Sequence, residues 1–112
     1  MTADQTEVQP IGVETGVVNV NLIAQNHSFN TDRITVSPGA RVNIDFENRD
    51  EGAEHNFALY ESETLEDPIF IGEIVTGPGS ITYTFDAPAV RSVYLFRCDT
   101  HPTEMRGKFI VE

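Results

Sequence analysis

The chain has 112 residues, 39% of them hydrophobic, the scale of one domain with a core of its own. A single cysteine excludes an internal disulfide and any metal site built on two cysteines of this chain. Eighteen acidic residues against seven basic ones give a formal charge of −11, a surface that repels nucleic-acid phosphates.

Residues 1–16 carry Asp4, Glu7, Pro10, Gly12 and Glu14 without a period and read as an N-terminal tail or linker. No charged-then-apolar leader of the signal-peptide type is visible, and the residues leave open whether an export signal or anchor was removed upstream. From Val17 onward the pattern is β. Val, Ile and Thr outnumber Leu, Ala and Met more than twofold, and branched side chains favour a pleated, half-buried surface. Val18, Val20, Leu22 and Ala24 alternate with Asn19, Asn21 and Ile23; Val42, Ile44 and Phe46 alternate with Asn43, Asp45 and Glu47; Ile81, Tyr83 and Phe85 alternate with Thr82, Thr84 and Asp86. A period of two places one face of each strand on a core. Turn chemistry falls between them at Ser37-Pro38-Gly39, Asn48-Arg49-Asp50-Glu51-Gly52 and Gly77-Pro78-Gly79. Strands are predicted near 17–25, 29–36, 41–48, 54–60, 69–75, 80–86, 91–98 and 105–111, an all-β chain folded as a two-sheet sandwich or barrel. The segment 61–68 is the main excursion, with room for one helical turn. The longest apolar runs, such as Phe57-Ala58-Leu59-Tyr60, fall far short of the ~20 residues a membrane-spanning helix needs.

The chemistry gathers in Phe96-Arg97-Cys98-Asp99-Thr100-His101-Pro102-Thr103-Glu104-Met105, between the last two predicted strands. Far upstream, His55 sits in another predicted strand. Taken singly these residues are ordinary: Cys98 as a small buried hydrophobe, His55 as a core histidine, Met105 as core filler. Taken together they are not. A turn containing Pro102 is no core strand, and one Cys, two His and a Met are the ligand set of a type 1 copper site, trigonal His₂Cys with a weak axial Met. Thiolate sulfur suits Cu(I) and imidazole serves both oxidation states, so such a set supports one-electron transfer without large ligand movement. Zinc also accepts His, His and Cys, so residue types alone leave the metal open.

With Phe29 before Ile34-Thr35-Val36, then Pro38-Gly39, Val42 to Phe46, Asn48, His55-Asn56 and the Cys98-x₂-His101-x₃-Met105 loop, residues 17–112 resemble the cupredoxins, small type 1 blue copper proteins, and their plastocyanin-like branch most closely. The resemblance implies an eight-stranded Greek-key β-sandwich or barrel of the cupredoxin type. It also implies one copper ion, Cu(I)/Cu(II), held by His55, Cys98 and His101, with Met105 axial. The resemblance further implies that Asn56 supports these ligands, its backbone N–H directed at the Cys98 sulfur and its side chain tying two loops together; on the residues alone a simple turn asparagine is the alternative. Two positions depart from the family pattern. Arg97 replaces the aromatic residue that plastocyanins proper carry before the cysteine, and Pro102 removes an N–H near the sulfur. Asp99 places an acid beside the thiolate, either favouring Cu(II) or facing solvent. His27 is read as a solvated loop histidine in preference to a rim residue beside His101.

The function implied is a one-electron carrier between redox partners, outside the cytoplasm, in the periplasm or tethered to the outer face of a membrane, and monomeric. Gly52, Ala53, Pro78 and Pro102 are expected to form an apolar rim around His101. Glu61, Glu63, Glu66 and Asp67 resemble an acidic docking patch for a basic partner. The alternative from another class is a copper-binding module for storage, delivery or sensing without electron transfer. Catalysis by a Cys98 nucleophile with His101 as base lacks an orienting third group and an oxyanion hole, and gives Met105 no role, so no enzyme is expected.

Overall fold

The computed structural model describes residues 16–64 and 67–112; residues 1–15 of the expected tail, and Glu66 of the acidic segment, lie outside the described residues. Eleven strands run in chain order: β1 (Val17–Gln25), β2 (Ser28–Phe29), β3 (Arg33–Val36), β4 (Arg41–Asn48), β5 (Glu54–His55), β6 (Ala58–Tyr60), β7 (Pro68–Ile71), β8 (Val75–Thr76), β9 (Gly79–Asp86), β10 (Ser92–Arg97) and β11 (Arg106–Val111). One sheet has the order β2-β1-β4-β9, the other β3-β11-β10-β6-β7, and β5 pairs with β8 alone. The β1–β4 and β3–β11 pairs are parallel and the rest antiparallel. This is the expected β-sandwich.

All eight expected strands are present, but three of them come in two pieces. The 29–36 segment breaks because Asn30 turns back on β1, its N–H on Ile23 O at 2.9 Å and its Oδ1 accepting the Ile23 N–H at 2.8 Å. The chain then crosses to the second sheet as β3. The 54–60 and 69–75 segments break for one shared reason. β6 and β7 pair with each other in the larger sheet, while β5 and β8 pair with each other outside it. Such crossings form the corners of a sandwich. No helical turn is found in the described part of the 61–68 excursion.

The alternation read from the sequence is the packing pattern. Leu22, Ala24, Val42, Ile44 and Phe46 of one sheet meet Ile34, Val36, Leu59, Tyr94, Phe96, Phe109 and Val111 of the other, all buried. Phe57, on the crossing between β5 and β6, stacks on Phe85 and Phe96 with ring centroids 5.8 and 5.6 Å apart, and Phe85 stacks on Phe70 at 4.8 Å. Offset aromatic stacking adds roughly 0.5–1.5 kcal/mol per pair beyond area burial.

Parallel pairing of β1 with β4, with Ala24 opposite Asn48, brings the turn after β1 and the loop after β4 to one pole of the sandwich. At that pole the Asp50 carboxylate accepts the backbone N–H groups of Asn26 (2.6 Å) and His27 (2.9 Å). The two-residue turn of the β1–β2 hairpin has φ of 56° at both Asn26 and His27, the left-handed pair that suits the twist of a hairpin.

Candidate metal centre

The loop after β10 closes on itself. Cys98 N–H donates to Met105 O at 2.8 Å, Met105 N–H to His101 O at 3.0 Å, and His101 N–H to Cys98 O at 3.2 Å. These bonds turn the three side chains to one side while β11 resumes the sheet. His55 comes from β5, fixed opposite Val75 of β8. Three expected ligands therefore converge: Cys98 Sγ lies 3.6 Å from His55 Nδ1 and 3.9 Å from His101 Nδ1, with all three donor atoms within 4.8 Å of one another. Met105 is fully buried in the same core cluster as Cys98.

The distances are those of a site able to hold a metal ion. Metal–sulfur and metal–nitrogen bonds of about 2.3 and about 2.0 Å, opened to the trigonal angle, place S and N about 3.7 Å apart. The two measured separations bracket that value. The donor types and their spacing therefore fit a single ion between them. His55, Cys98 and Met105 are fully buried, and His101 is the one partly exposed member of the set. Burial lowers the His101 pKa, assisted by the neighbouring His55 and His27 rings.

Surrounding groups hold the donors in place. Asn56 is buried; its Oδ1 accepts the Asp99 N–H at 2.8 Å and its Nδ2 donates to Gly72 O at 2.9 Å. The Thr100 hydroxyl lies 3.1 Å from the Cys98 sulfur, beside the two ring nitrogens. Thr100 Oγ1 donates to Glu54 O at 2.5 Å, a second link between the ligand loop and β5. Asp99 is partly exposed, and it is not a bare charge beside the sulfur. Its carboxylate accepts from Tyr60 O–H at 2.7 Å and from Arg97 Nε at 2.9 Å, while the Arg97 guanidinium lies 4.8 Å over the Tyr60 ring. Arg97 therefore neutralises Asp99.

His27 is exposed, but it is not merely solvated. Its ring meets His101 edge-on at 4.6 Å and His55 at 5.4 Å, which places it on the rim of the site. Asp50 and Thr100 are the contributors that sequence reasoning missed. Asp50 Oδ2 lies 2.8 Å from His55 Nε2, and the carboxylate, 12% exposed, is held at a pKa of about 2, chiefly by the His27 backbone N–H and then by His55 and Asn26. Two loops must fold before either contact exists, so no spacing announces them.

A family described as "Cupredoxin-like domain" matches residues 5–111. Among solved structures, auracyanin A, a "blue" copper protein of the green thermophilic photosynthetic bacterium Chloroflexus aurantiacus, is similar with a TM-score of 0.78 and 23% identity over 87% of this chain and 100% of that one. Amicyanin from Paracoccus versutus is 29% identical over 83% of this chain and 80% of that one, with a TM-score of 0.58. Rusticyanin from Thiobacillus ferrooxidans gives a TM-score of 0.73 at 18% identity, covering 88% of this chain and 79% of that one. A comparison with curated proteins finds no match.

Proposed function

The chain belongs to the cupredoxin-like domain family, and on that premise we propose that it is a type 1 copper protein that carries one electron at a time between redox partners. His55 Nδ1, Cys98 Sγ and His101 Nδ1 are its equatorial ligands and the Met105 sulfur is axial. The observation that carries this reading is the pair of S···N separations of 3.6 and 3.9 Å around a fully buried cysteine. Copper, when bound, supplies the one-electron couple. The residues supply the rest: a soft thiolate and two imidazoles acceptable to both oxidation states, set on short loops that the sandwich and its hydrogen bonds hold fixed.

It is an electron-transfer protein and not an enzyme. Burial of His55, Cys98 and Met105 favours retention of the ion over rapid release, which favours this reading over a delivery module. His101, the exposed ligand, is the electron exit, and His27 and Pro102 flank it at the surface where a redox partner docks. Gly52, Ala53 and Pro78 lie on the linked loops of the same pole, with Gly52 N–H on Gly77 O and Gly77 N–H on Ala53 O, both 2.9 Å. Among the described residues no helix is long and apolar enough to cross a membrane. We place the working protein outside the cytoplasm, as a monomer, with residues 17–112 as the copper domain and 1–16 as its tail.

Copper loading tests the reading. The Cu(II) protein is expected to show intense visible absorption from thiolate-to-copper charge transfer and a type 1 electron paramagnetic resonance spectrum. The Cys98→Ser variant is expected to lose that band while keeping its β-sheet circular dichroism. A colourless Cu(II) protein, or a band that survives in Cys98→Ser, overturns the assignment.

A further inference from the structure

Three histidine rings and one carboxylate meet at the pole, and the carboxylate is the group that the ligand set leaves unexplained. Asp50 lies in the loop between β4 and β5. Its Oδ1 accepts the Asn26 N–H at 2.6 Å, and its Oδ2 accepts the His27 N–H at 2.9 Å and faces His55 Nε2 at 2.8 Å. An ionised carboxylate has no proton to give, so the proton of this last contact belongs to Nε2. That assignment frees the Nδ1 lone pair on the opposite side of the ring, the side facing Cys98 Sγ. The same reasoning disposes of a second cation among His27, Asp50 and His55, whose donor atoms lie within 4.8 Å of one another. A protonated Nε2 is not a ligand, and the group is a hydrogen-bonded cluster.

We propose that Asp50 is a positioning residue of the metal centre: it locks His55 in the Nε2–H tautomer and, as a fixed negative charge behind that ring, stabilises the oxidised ion relative to the reduced one. The inference rests on the ligand reading above. The chain builds a carboxylate–histidine pair, an arrangement that orients the ring and raises its basicity toward the ion. The charge-assisted bond is stronger than one to a neutral carbonyl. The partial negative charge it passes to the imidazole favours the more highly charged ion. Asp50 is itself immobilised by the hairpin turn at Asn26 and His27, so the pair is rigid before any ion arrives.

The test uses the full chain with Asp50→Asn and Asp50→Glu variants. Carboxylates that support metal-bound histidines are worth about 10–100-fold in metal affinity. Asp50→Asn is expected to weaken Cu(II) binding about tenfold more than Cu(I) binding, a rise in reduction potential of about 59 mV for a one-electron couple. Asp50→Glu keeps the charge and is expected to stay nearer the parent potential. A second readout needs no copper: ¹⁵N resonances of the His55 ring in the metal-free protein are expected to show the Nε2–H tautomer, and a mixture of tautomers in Asp50→Asn. An Nδ1–H tautomer in the parent protein overturns the proposal, and so does a potential that does not move in Asp50→Asn. Should Asp50→Asn fail to fold, the parent ¹⁵N spectrum alone decides. Failure of the parent protein to give a type 1 spectrum would instead strike the ligand reading, and leaves the tautomer measurement standing as an independent result.

Discussion

At the scale of single residues, the four proposed ligands could be picked out because residue type and loop spacing are local information. Side-chain type is printed in the sequence, and Cys98, His101 and Met105 sit within one loop, so only His55 had to be matched across the chain. Asp50, Thr100 and the Arg97–Asp99–Tyr60 cluster were not legible, since each acts on a partner that only tertiary contact supplies. Tyr83 is a residue of the same kind. Alternation placed it on the core face, but nothing in the sequence said that its hydroxyl would donate to Glu73 O at 2.5 Å from a site 4% exposed. Burial pushes its phenol well above its usual value of 10, because the phenolate has little access to water there. The unfolded chain ionises near 10 and the folded one only at higher pH, so folding holds the proton. The stabilisation is complete below about pH 10 and is lost as pH rises above it. Thermal midpoints taken from about pH 8 to about pH 11 are expected to fall more steeply for the parent protein than for Tyr83→Phe, which has no proton to lose. Parallel slopes for the two proteins would remove Tyr83 as the cause.

At the scale of elements, the alternating pattern located all eight strand segments but not the sheet each half belongs to. Periodicity reports which face of a strand is buried, and both sheets bury one face in the same core. Whether a strand continues or crosses is decided by its pairing partner, as when β3 leaves β2 to lie beside β11. Gly107 shows how tight that joint is. It stands opposite Phe96 in the β10–β11 ladder, and a Cβ there would lie 2.6 Å from both the Asp32 carbonyl oxygen and the Phe96 ring. Asp32 is the last residue before β3, and its carbonyl accepts the Lys108 N–H at 2.8 Å, so a displaced Asp32 loosens the β3–β11 pairing as well. Overpacking of this sort costs about 1–3 kcal/mol. Gly107→Ala is expected to lower the thermal midpoint by about 4 °C or more. Gly16→Ala, whose added Cβ meets nothing within 4 Å, is expected to leave it unchanged. Equal midpoints for the two variants would show that the joint has slack.

At the scale of the whole molecule, the net charge of −11 was plain from composition, but its useful arrangement was not. The expected acidic patch at 61–67 is partly neutralised in place, with Glu63 3.4 Å from Arg106 and the Arg97 and Arg106 side chains lining the same shallow surface cavity beside Pro102. The pole itself is the less compensated region. Glu51, Glu54 and Glu104 are exposed on or beside β5 and the loop after β10, and Glu104 and Asp50 both act on the His101 ring by their charge. Field lines from these carboxylates converge beside His101, and steering of a charged reactant to such a spot raises encounter rates by 10-fold or more at low salt. The copper(I) protein is therefore expected to reduce a cationic oxidant such as a cobalt(III) amine complex at a rate that falls as ionic strength rises through about 0.1 M, where the screening length shortens to about 10 Å. An anionic oxidant such as ferricyanide is expected to show the opposite salt dependence. Glu104→Lys is expected to slow the cationic reaction several-fold and flatten its salt slope, whereas Glu63→Lys, removing a charge that Arg106 already answers, leaves both nearly unchanged. The reverse ranking of the two variants in stopped-flow traces would move the docking field from the pole to the flank.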